Sequence, residues 1–149
     1  MKNEIMNWTL CERDFIKIVD ADLEKIKSLK KKAEKRLVRA RKELNDVDFA
    51  TEDYYEVIKE LLTAYMLKFG MRSKNHQCLI SYFLKENPSL DKEAYLIQQM
   101  SFFRNRLDYY GEDVPKEFLD SNKEDFEKII KLLFELIDRG DKKWIKQQK

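Results

Sequence analysis

The sequence predicts an all-α fold, an antiparallel bundle of four to five helices, and three observations support this prediction. The 149 residues include only 3 Gly and 2 Pro, so few positions interrupt a helix. Apolar residues recur every three to four positions, as on one face of a helix, and no stretch alternates as a strand would. The length suits one domain, 1–149, with an N-terminal extension at 1–19, a bundle at about 20–140 and a basic tail at 141–149.

The first long helix is predicted to begin at Asp20 or Asp22, since either side chain can cap it, and to end at Asn45 and Asp46. Its apolar positions form one stripe at helical spacing, and the basic residues lie mostly off that stripe. The stripe consists of Ile26, Leu29, Ala33, Leu37, Ala40 and Leu44.

The second and third helices follow from similar signals. Thr51 is the expected cap of the second helix and Gly70 its stop. The third helix is expected at about 74–86, before Asn87 and Pro88. Its buried positions and those of the second helix are expected to be Tyr54, Ile58, Leu61, Leu62, Tyr65, Phe69, Leu79, Ile80 and Phe83.

Two further helices are expected, separated by a loop at 112–121 that contains Pro115. Their starts and stops are predicted, in chain order, at Ser89 or Asp91, Gly111, Ser121 or Asn122, and Gly140. Trp144 and Ile145, in the tail, are candidates to pack back onto the bundle.

Cysteine and histidine usage points to a reduced protein without a metal. Cys11 and Cys78 are too few for a disulfide scaffold and form no CxxC motif, and the single histidine, His76, cannot complete a zinc site with them. No apolar run approaches the roughly 18 residues of a membrane span, and the first residues lack the apolar block of a signal peptide. We therefore expect a cytoplasmic chain with no cofactor, no metal and no membrane association.

Charge is nearly balanced in total, at +2, but not along the chain. Ten basic residues and one acid lie between Lys25 and Lys42. Such a block can bind the phosphates of nucleic acid, or it can be a solvated helix face whose acidic neighbours cancel it in space. Both interpretations stay open at this point. If RNA binds, its candidate contacts are Lys31, Lys32, Lys35 and Arg39.

The segment at 101–111 carries a polar group on a core face. Arg104 continues the apolar stripe of the fourth helix, and Asp108, one turn later, is a ready partner for it. Asn105, Tyr109 and Tyr110 add polar atoms at the helix end. A buried arginine is costly unless it is paired. The segment is therefore either a site or a structural clamp that orients the following loop.

Residues 104–111, Arg-Asn-Arg-Leu-Asp-Tyr-Tyr-Gly, resemble the variant signature of HEPN domains, prokaryotic helical domains that handle RNA and nucleotides. Segments 33–40, 54–64 and 70–76 resemble the family's opening helix, its second helix and the turn into its third, so the resemblance covers about 20–140. It implies a dimerising bundle. In active members it implies a metal-independent ribonuclease centre, in which an arginine is followed after four to six residues by a histidine.

The resemblance maps Arg104 onto the family's arginine and Asn105 onto the polar residue beside it, but the histidine position is occupied by Tyr109, Tyr110 or Gly111. We therefore expect a non-catalytic binding module, a homodimer that holds RNA, a nucleotide or a small nucleotidyltransferase partner, as in toxin–antitoxin pairs. One alternative is a ribonuclease in which Arg104 and a tyrosine suffice. Another is a purely structural dimer. His76 corresponds to a turn histidine that caps or packs.

Overall fold

Six helices and one short strand pair build residues 4–139, the part of the chain that this computed structural model describes. The all-α prediction is confirmed as a helical bundle. The elements in chain order are α1 (Trp8–Asp14), β1 (Lys17–Ile18), α2 (Leu23–Lys42), α3 (Val47–Lys68), β2 (Met71–Arg72), α4 (His76–Glu86), a 3₁₀ turn (Pro88–Leu90), α5 (Asp91–Tyr110) and α6 (Lys116–Asp138).

Helix α3 is the central element, and it packs against α2, α4, α5 and α6. It is buried on nearly all sides, and Tyr54, Tyr55 and Tyr65 lie in the core as expected from their helical spacing. The predicted stripe of α2 also faces inward. Ile26, Ala33, Leu37 and Ala40 are buried, Leu29 is partly buried, and Leu44 is partly buried just after α2 ends at Lys42.

Helix starts depend on which capping residue is used. The Asp22 carboxylate accepts the Lys25 N–H at 3.0 Å and starts α2, as predicted. The prediction that Thr51 caps α3 is wrong, because Asp46 accepts the Phe49 N–H at 3.1 Å and starts that helix earlier.

The last helix also starts earlier than predicted. The expected start at Ser121 or Asn122 is wrong, because α6 begins at Lys116, directly after Pro115, and buries Leu119 in its first turns. Gly140, Trp144 and Ile145 lie outside the described residues.

A disulfide and a strand pair attach the N-terminal segment to the bundle. Cys11 of α1 is bonded to Cys78 of α4, with 5.6 Å between their Cα atoms. The expectation of reduced cysteines is therefore wrong, and a cytoplasmic location stays a prediction. In the chain-entropy model, a bond that closes so long a loop contributes about 4 kcal/mol to stability. The antiparallel strands β1 and β2, which the sequence did not indicate, pair Lys17 with Arg72 and Ile18 with Met71.

No helix within residues 4–139 is long and apolar enough to cross a membrane. The fold instead places α3, the start of α4 and the second half of α5 side by side, since these three helices contact one another. Their shared face carries the polar side chains that the motif at 101–111 predicted, together with others from α3 and α4.

Candidate functional site

The candidate site is centred on Arg104, whose side chain projects from α5 toward α3. One terminal nitrogen, Nη2, donates to Glu56 Oε1 at 3.2 Å, and the guanidinium lies 5.7 Å from the centre of the Tyr55 ring. The side chain retains 21 % of its exposure, so solvent reaches part of it. Arg104 is therefore neither enclosed in the core nor free on the surface.

The predicted pairing of Arg104 with Asp108 is confirmed as an ion pair. Arg104 Nε lies 3.1 Å from Asp108 Oδ2, one helical turn away. The Nε–H is not aimed at that oxygen, however, and Nε is a buried donor without a hydrogen-bond acceptor among the described residues. The guanidinium instead donates its hydrogen bond to Glu56, a residue that the sequence did not single out.

Three carboxylates, those of Glu52, Glu56 and Asp108, lie around Arg104, and its single positive charge cannot neutralise all three. Glu56 is shared, because its other oxygen lies 2.7 Å from Lys59 Nζ. Burial raises the pKa of Glu52, and the neighbouring Asp108 carboxylate raises it further, while Arg104 opposes both effects. Two acids in such contact favour sharing a proton, so this side of the site holds an excess of acceptors.

His76 is the first residue of α4 and faces the same cluster. Burial lowers the pKa of this half-buried imidazole, and the charges of Lys59 and Arg104 lower it further, with Glu56 opposing them. The imidazole is therefore neutral at pH 7. Asn75, not His76, caps α4, since its side chain accepts the Gln77 N–H at 3.0 Å. Of the two expected roles of His76, capping is therefore wrong, and its half-buried position fits packing.

Hydrogen bonds beneath the cluster join α4 to α5. Gln77 Nε2 donates to Ser101 Oγ at 2.9 Å, and Ser101 is buried on the core face of α5. Ser101 also interacts with the hydroxyl of Tyr55, whose burial raises its pKa. The start of α4, and with it His76, is thus fixed relative to the turn of α5 that carries Arg104.

The other predicted site residues on α5 take different positions. Asn105 is partly buried beside Arg104. Tyr109 and Tyr110 are exposed, at 74 % and 69 %. The Tyr110 ring lies 4.9 Å from the guanidinium of Arg106, a residue that Glu112 holds through a 2.8 Å hydrogen bond. Tyr110 therefore contacts Arg106, and the structure does not bring it together with Arg104.

The basic segment of α2 splits into paired and unpaired residues. Arg39 donates two hydrogen bonds to the buried Asp53 carboxylate, at 2.9 and 2.6 Å, so this RNA-binding candidate is occupied within the chain. Lys31, Lys32 and Lys35 are exposed. The remaining arginines pair as Arg36 with Glu60 and Arg41 with Glu127, and Lys30 pairs with Asp138.

Within residues 4–139, no group of three or more His, Cys, Asp or Glu side chains is arranged to hold a metal ion. The chain matches no model of a known protein family, no curated protein and no solved structure. The resemblance to HEPN domains therefore stays a prediction, and the functional argument depends on the residues of the structure itself.

Proposed function

We propose that the chain is a non-catalytic, HEPN-like binding module that binds a partner protein and forms a homodimer through the end of the bundle where α3 begins and α5 ends. The observation that supports this most directly is the set of exposed aromatic rings at that end: Phe49, Tyr109 and Tyr110. Aromatic and arginine side chains are enriched at protein interfaces, where they supply much of the binding energy.

The helix ends that carry these rings are tied together, and we infer from this that the rings share one surface. Glu52 of α3 contacts Asp108 of α5, and Asp48 Oδ1 accepts the Val114 N–H, from the segment after α5, at 2.7 Å. Phe49 lies between these two positions on α3. Arg104 lies one turn before Asp108, so the cluster borders the aromatic surface.

Charge favours a protein over RNA as the partner. Glu52, Glu56 and Asp108 surround Arg104, and carboxylates in that number repel a phosphate backbone. On α2, the pairing of Arg39 removes one of the four predicted RNA contacts. The resemblance to HEPN domains adds a small nucleotidyltransferase as the partner, in a toxin–antitoxin context.

Two phenylalanines of α5 that could add to an exposed apolar surface are partly covered within the chain. The Phe103 ring lies 4.5 Å from that of Phe118 and 5.3 Å from that of Phe102. These two rings therefore add little to the exposed apolar surface. The dimer proposal rests instead on the exposed Phe49, Tyr109 and Tyr110.

The deciding experiment replaces both tyrosines, Tyr109→Ser and Tyr110→Ser, and measures mass by light scattering. We expect the unmodified chain at twice 18.1 kDa and the variant at 18.1 kDa. Tyr95→Ser is the matched control, because Tyr95 is an exposed tyrosine near the other end of the same helix. A monomeric unmodified chain, or a variant that remains dimeric, would contradict the proposal.

The RNA alternative is measured on the same proteins with a labelled single-stranded oligonucleotide at two salt concentrations. We expect weak binding without a specific site. Binding that falls steeply with salt, and that Lys31→Gln with Lys32→Gln and Lys35→Gln abolishes, would instead identify α2 as an RNA-binding surface.

A metal-independent ribonuclease is a second candidate, and His76 is the observation that favours it. The charge of Arg104 acts on the His76 imidazole and helps to lower its pKa, and a base and a phosphate-binding cation are two groups that RNA cleavage uses. His76 would take the 2′-hydroxyl proton, and the 2′-oxygen would attack phosphorus to form a 2′,3′-cyclic phosphate. The bond from phosphorus to the 5′-oxygen would break, the 5′-oxygen would take a proton from water, and Arg104 would stabilise the charge on the phosphate. RNA cleavage in EDTA that both Arg104→Gln and His76→Gln abolish would favour this function over the non-catalytic one.

A further inference from the structure

A second polar and aromatic site lies at the other end of α3 from the Arg104 cluster. It is a partly open cavity of about 500 Å³, a size typical of small-molecule sites. Its walls come from α1, the segment after β1, the end of α3 and the last turns of α4. The lining residues used below are Trp8, Glu12, Asp20, Phe69, Tyr82 and Lys85.

Aromatic rings form the floor of this cavity. The centres of the Trp8 and Tyr82 rings are 5.2 Å apart and their planes are tilted by 49°, while Phe69 lies 6.1 Å from Tyr82. The Trp8 ring is partly exposed, the Tyr82 ring is buried, and both have electron-rich faces. Such faces attract cations, and organic ammonium ions above all.

An ammonium group already lies over these faces. Lys85 Nζ is 5.7 Å from the centre of the Trp8 ring and 5.8 Å from that of Tyr82. It also pairs with Glu86 at 3.1 Å, and its side chain is 41 % exposed. Lys85 therefore shows that an ammonium group fits over these rings. Its side chain is flexible and can move into solvent.

The remaining charges of the cavity are negative. Glu12 and Asp20 line it, and Lys85 is the one basic residue among the lining side chains. A bound anion would meet two carboxylates and the ring faces. A bound cation that takes the place of Lys85 would meet these two carboxylates and the ring faces.

We propose that this cavity binds a small organic ammonium ion, of the quaternary or methylated class. The rings of Trp8 and Tyr82 hold its charged head by cation–π contact, Glu12 and Asp20 balance its charge, and Lys85 is the internal occupant that it displaces. The Cys11–Cys78 bond holds α1 on α4, so the Trp8 wall is in place before the ligand arrives. This inference does not depend on the function proposed for Arg104.

Tryptophan fluorescence provides the measurement. The chain has two tryptophans, so Trp144→Phe leaves Trp8 as the sole reporter. Choline is the probe, and 3,3-dimethylbutan-1-ol is its uncharged isostere. We expect a saturable fluorescence change with choline and binding at least about 10-fold weaker for the alcohol, which corresponds to about 1.4 kcal/mol. Equal binding of both probes, or no saturable change with choline, would overturn the proposal.

Variants of the rim sharpen the test. Lys85→Met should tighten choline binding by removing the competitor, while Glu12→Gln with Asp20→Asn should weaken it several-fold. Glu24→Gln, at an exposed acid in the first turn of α2, is the matched control and should leave it unchanged. Weaker choline binding in Lys85→Met, or preferential binding of acetate over choline, would show that the cavity takes an anion instead.

Discussion

Two charged regions of the bundle differ in how many carboxylates lie around each arginine. Along α2, each arginine that turns toward a neighbouring helix has its own acid: Arg39 has Asp53, and Arg41 has Glu127. Around Arg104, the carboxylates of Glu56 and Asp108 lie at 3.2 and 3.1 Å from one guanidinium, and Glu52 adds a third. The Arg41 pair joins one guanidinium to one carboxylate, whereas three carboxylates lie around the single guanidinium of Arg104.

The pKa values of two glutamates show the consequence. The guanidinium of Arg41 lowers the pKa of Glu127, and a 2.7 Å hydrogen bond from the Tyr54 hydroxyl lowers it further. Burial and Asp108 raise the pKa of Glu52. Ionisation of Glu127 thus stabilises the fold, while ionisation of Glu52 opposes it. The Arg41 pair therefore lowers the pKa of its acid, whereas the contact between Glu52 and Asp108 raises one, and groups perturbed in this second way are candidates for a site.

The largest effect on stability is expected where an ion pair joined by two hydrogen bonds is broken. Arg39→Met leaves the buried Asp53 carboxylate without its two hydrogen bonds. We expect a loss of about 2 kcal/mol in the free energy of unfolding, less than for a fully buried pair because Arg39 is exposed. Urea unfolding at pH 7 measures it. Lys35→Met, at an exposed lysine on the same helix, is the control and should change stability by less than about 0.5 kcal/mol.

A smaller loss is expected for Glu127→Gln, and it depends on pH. The folded-state pKa of Glu127 lies below the ordinary value of 4.5, so its contribution is present above pH 4.5 and is lost as pH falls through the folded pKa. We expect a cost of about 1 kcal/mol at pH 7, since Arg41 is half exposed. Unfolding at pH 7 and at pH 3 tests this. A cost that is the same at both values would exclude an electrostatic origin.

Helix α2 and the core of α3 were predictable from the sequence because their apolar stripes are local signals. Helix α1 was not, since its seven residues carry no apolar stripe. It is held by the Cys11–Cys78 bond and by contacts with α4, which join residues far apart in the chain. The start of α3 was misplaced because Asp46 and Thr51 are both good capping residues, and pattern alone does not decide between them.

The candidate site divides in the same way. Arg104 and Asp108 are one helical turn apart, so their spacing in the sequence predicted the pair. Glu56 is 48 residues from Arg104, and His76 lies at the start of another helix. Bringing them together requires knowledge of which helix faces pack on which. The sequence signal that could have found them is weak: a glutamate on the partly polar face of an otherwise apolar helix, and a lone histidine after a turn.

Around Arg104, removing a carboxylate should cost almost no stability. Asp108→Asn leaves Arg104 with Glu56 and relieves the charge that raises the Glu52 pKa. The raised folded-state pKa of Glu52 means that its ionisation penalises the fold at higher pH, so the relief should be visible at pH 7 and absent at pH 3. We expect stability at pH 7 to be unchanged or higher by up to about 0.5 kcal/mol. Asp53→Asn, measured in parallel, should be clearly destabilising. Equal losses for the two variants would remove the contrast between the regions.

The smallest effect is a shift in the pKa of His76, and it tests directly whether this imidazole shares the Arg104 site. His76 is the only histidine, so its NMR titration is free of overlap. We expect a pKa below 6.5, which means that the unfolded chain binds its proton first and that stability falls as pH drops below 6.5. A unit charge acting through water over about 10 Å contributes about 0.4 kcal/mol, or about 0.3 pKa units. Arg104→Gln should therefore raise the pKa by about that amount and Glu56→Gln should lower it. Arg106→Gln, which removes an arginine that is paired with Glu112 on the same helix, should leave it unchanged. If the titration responds to Arg106 as strongly as to Arg104, His76 senses the general charge of α5 and belongs to no site with Arg104.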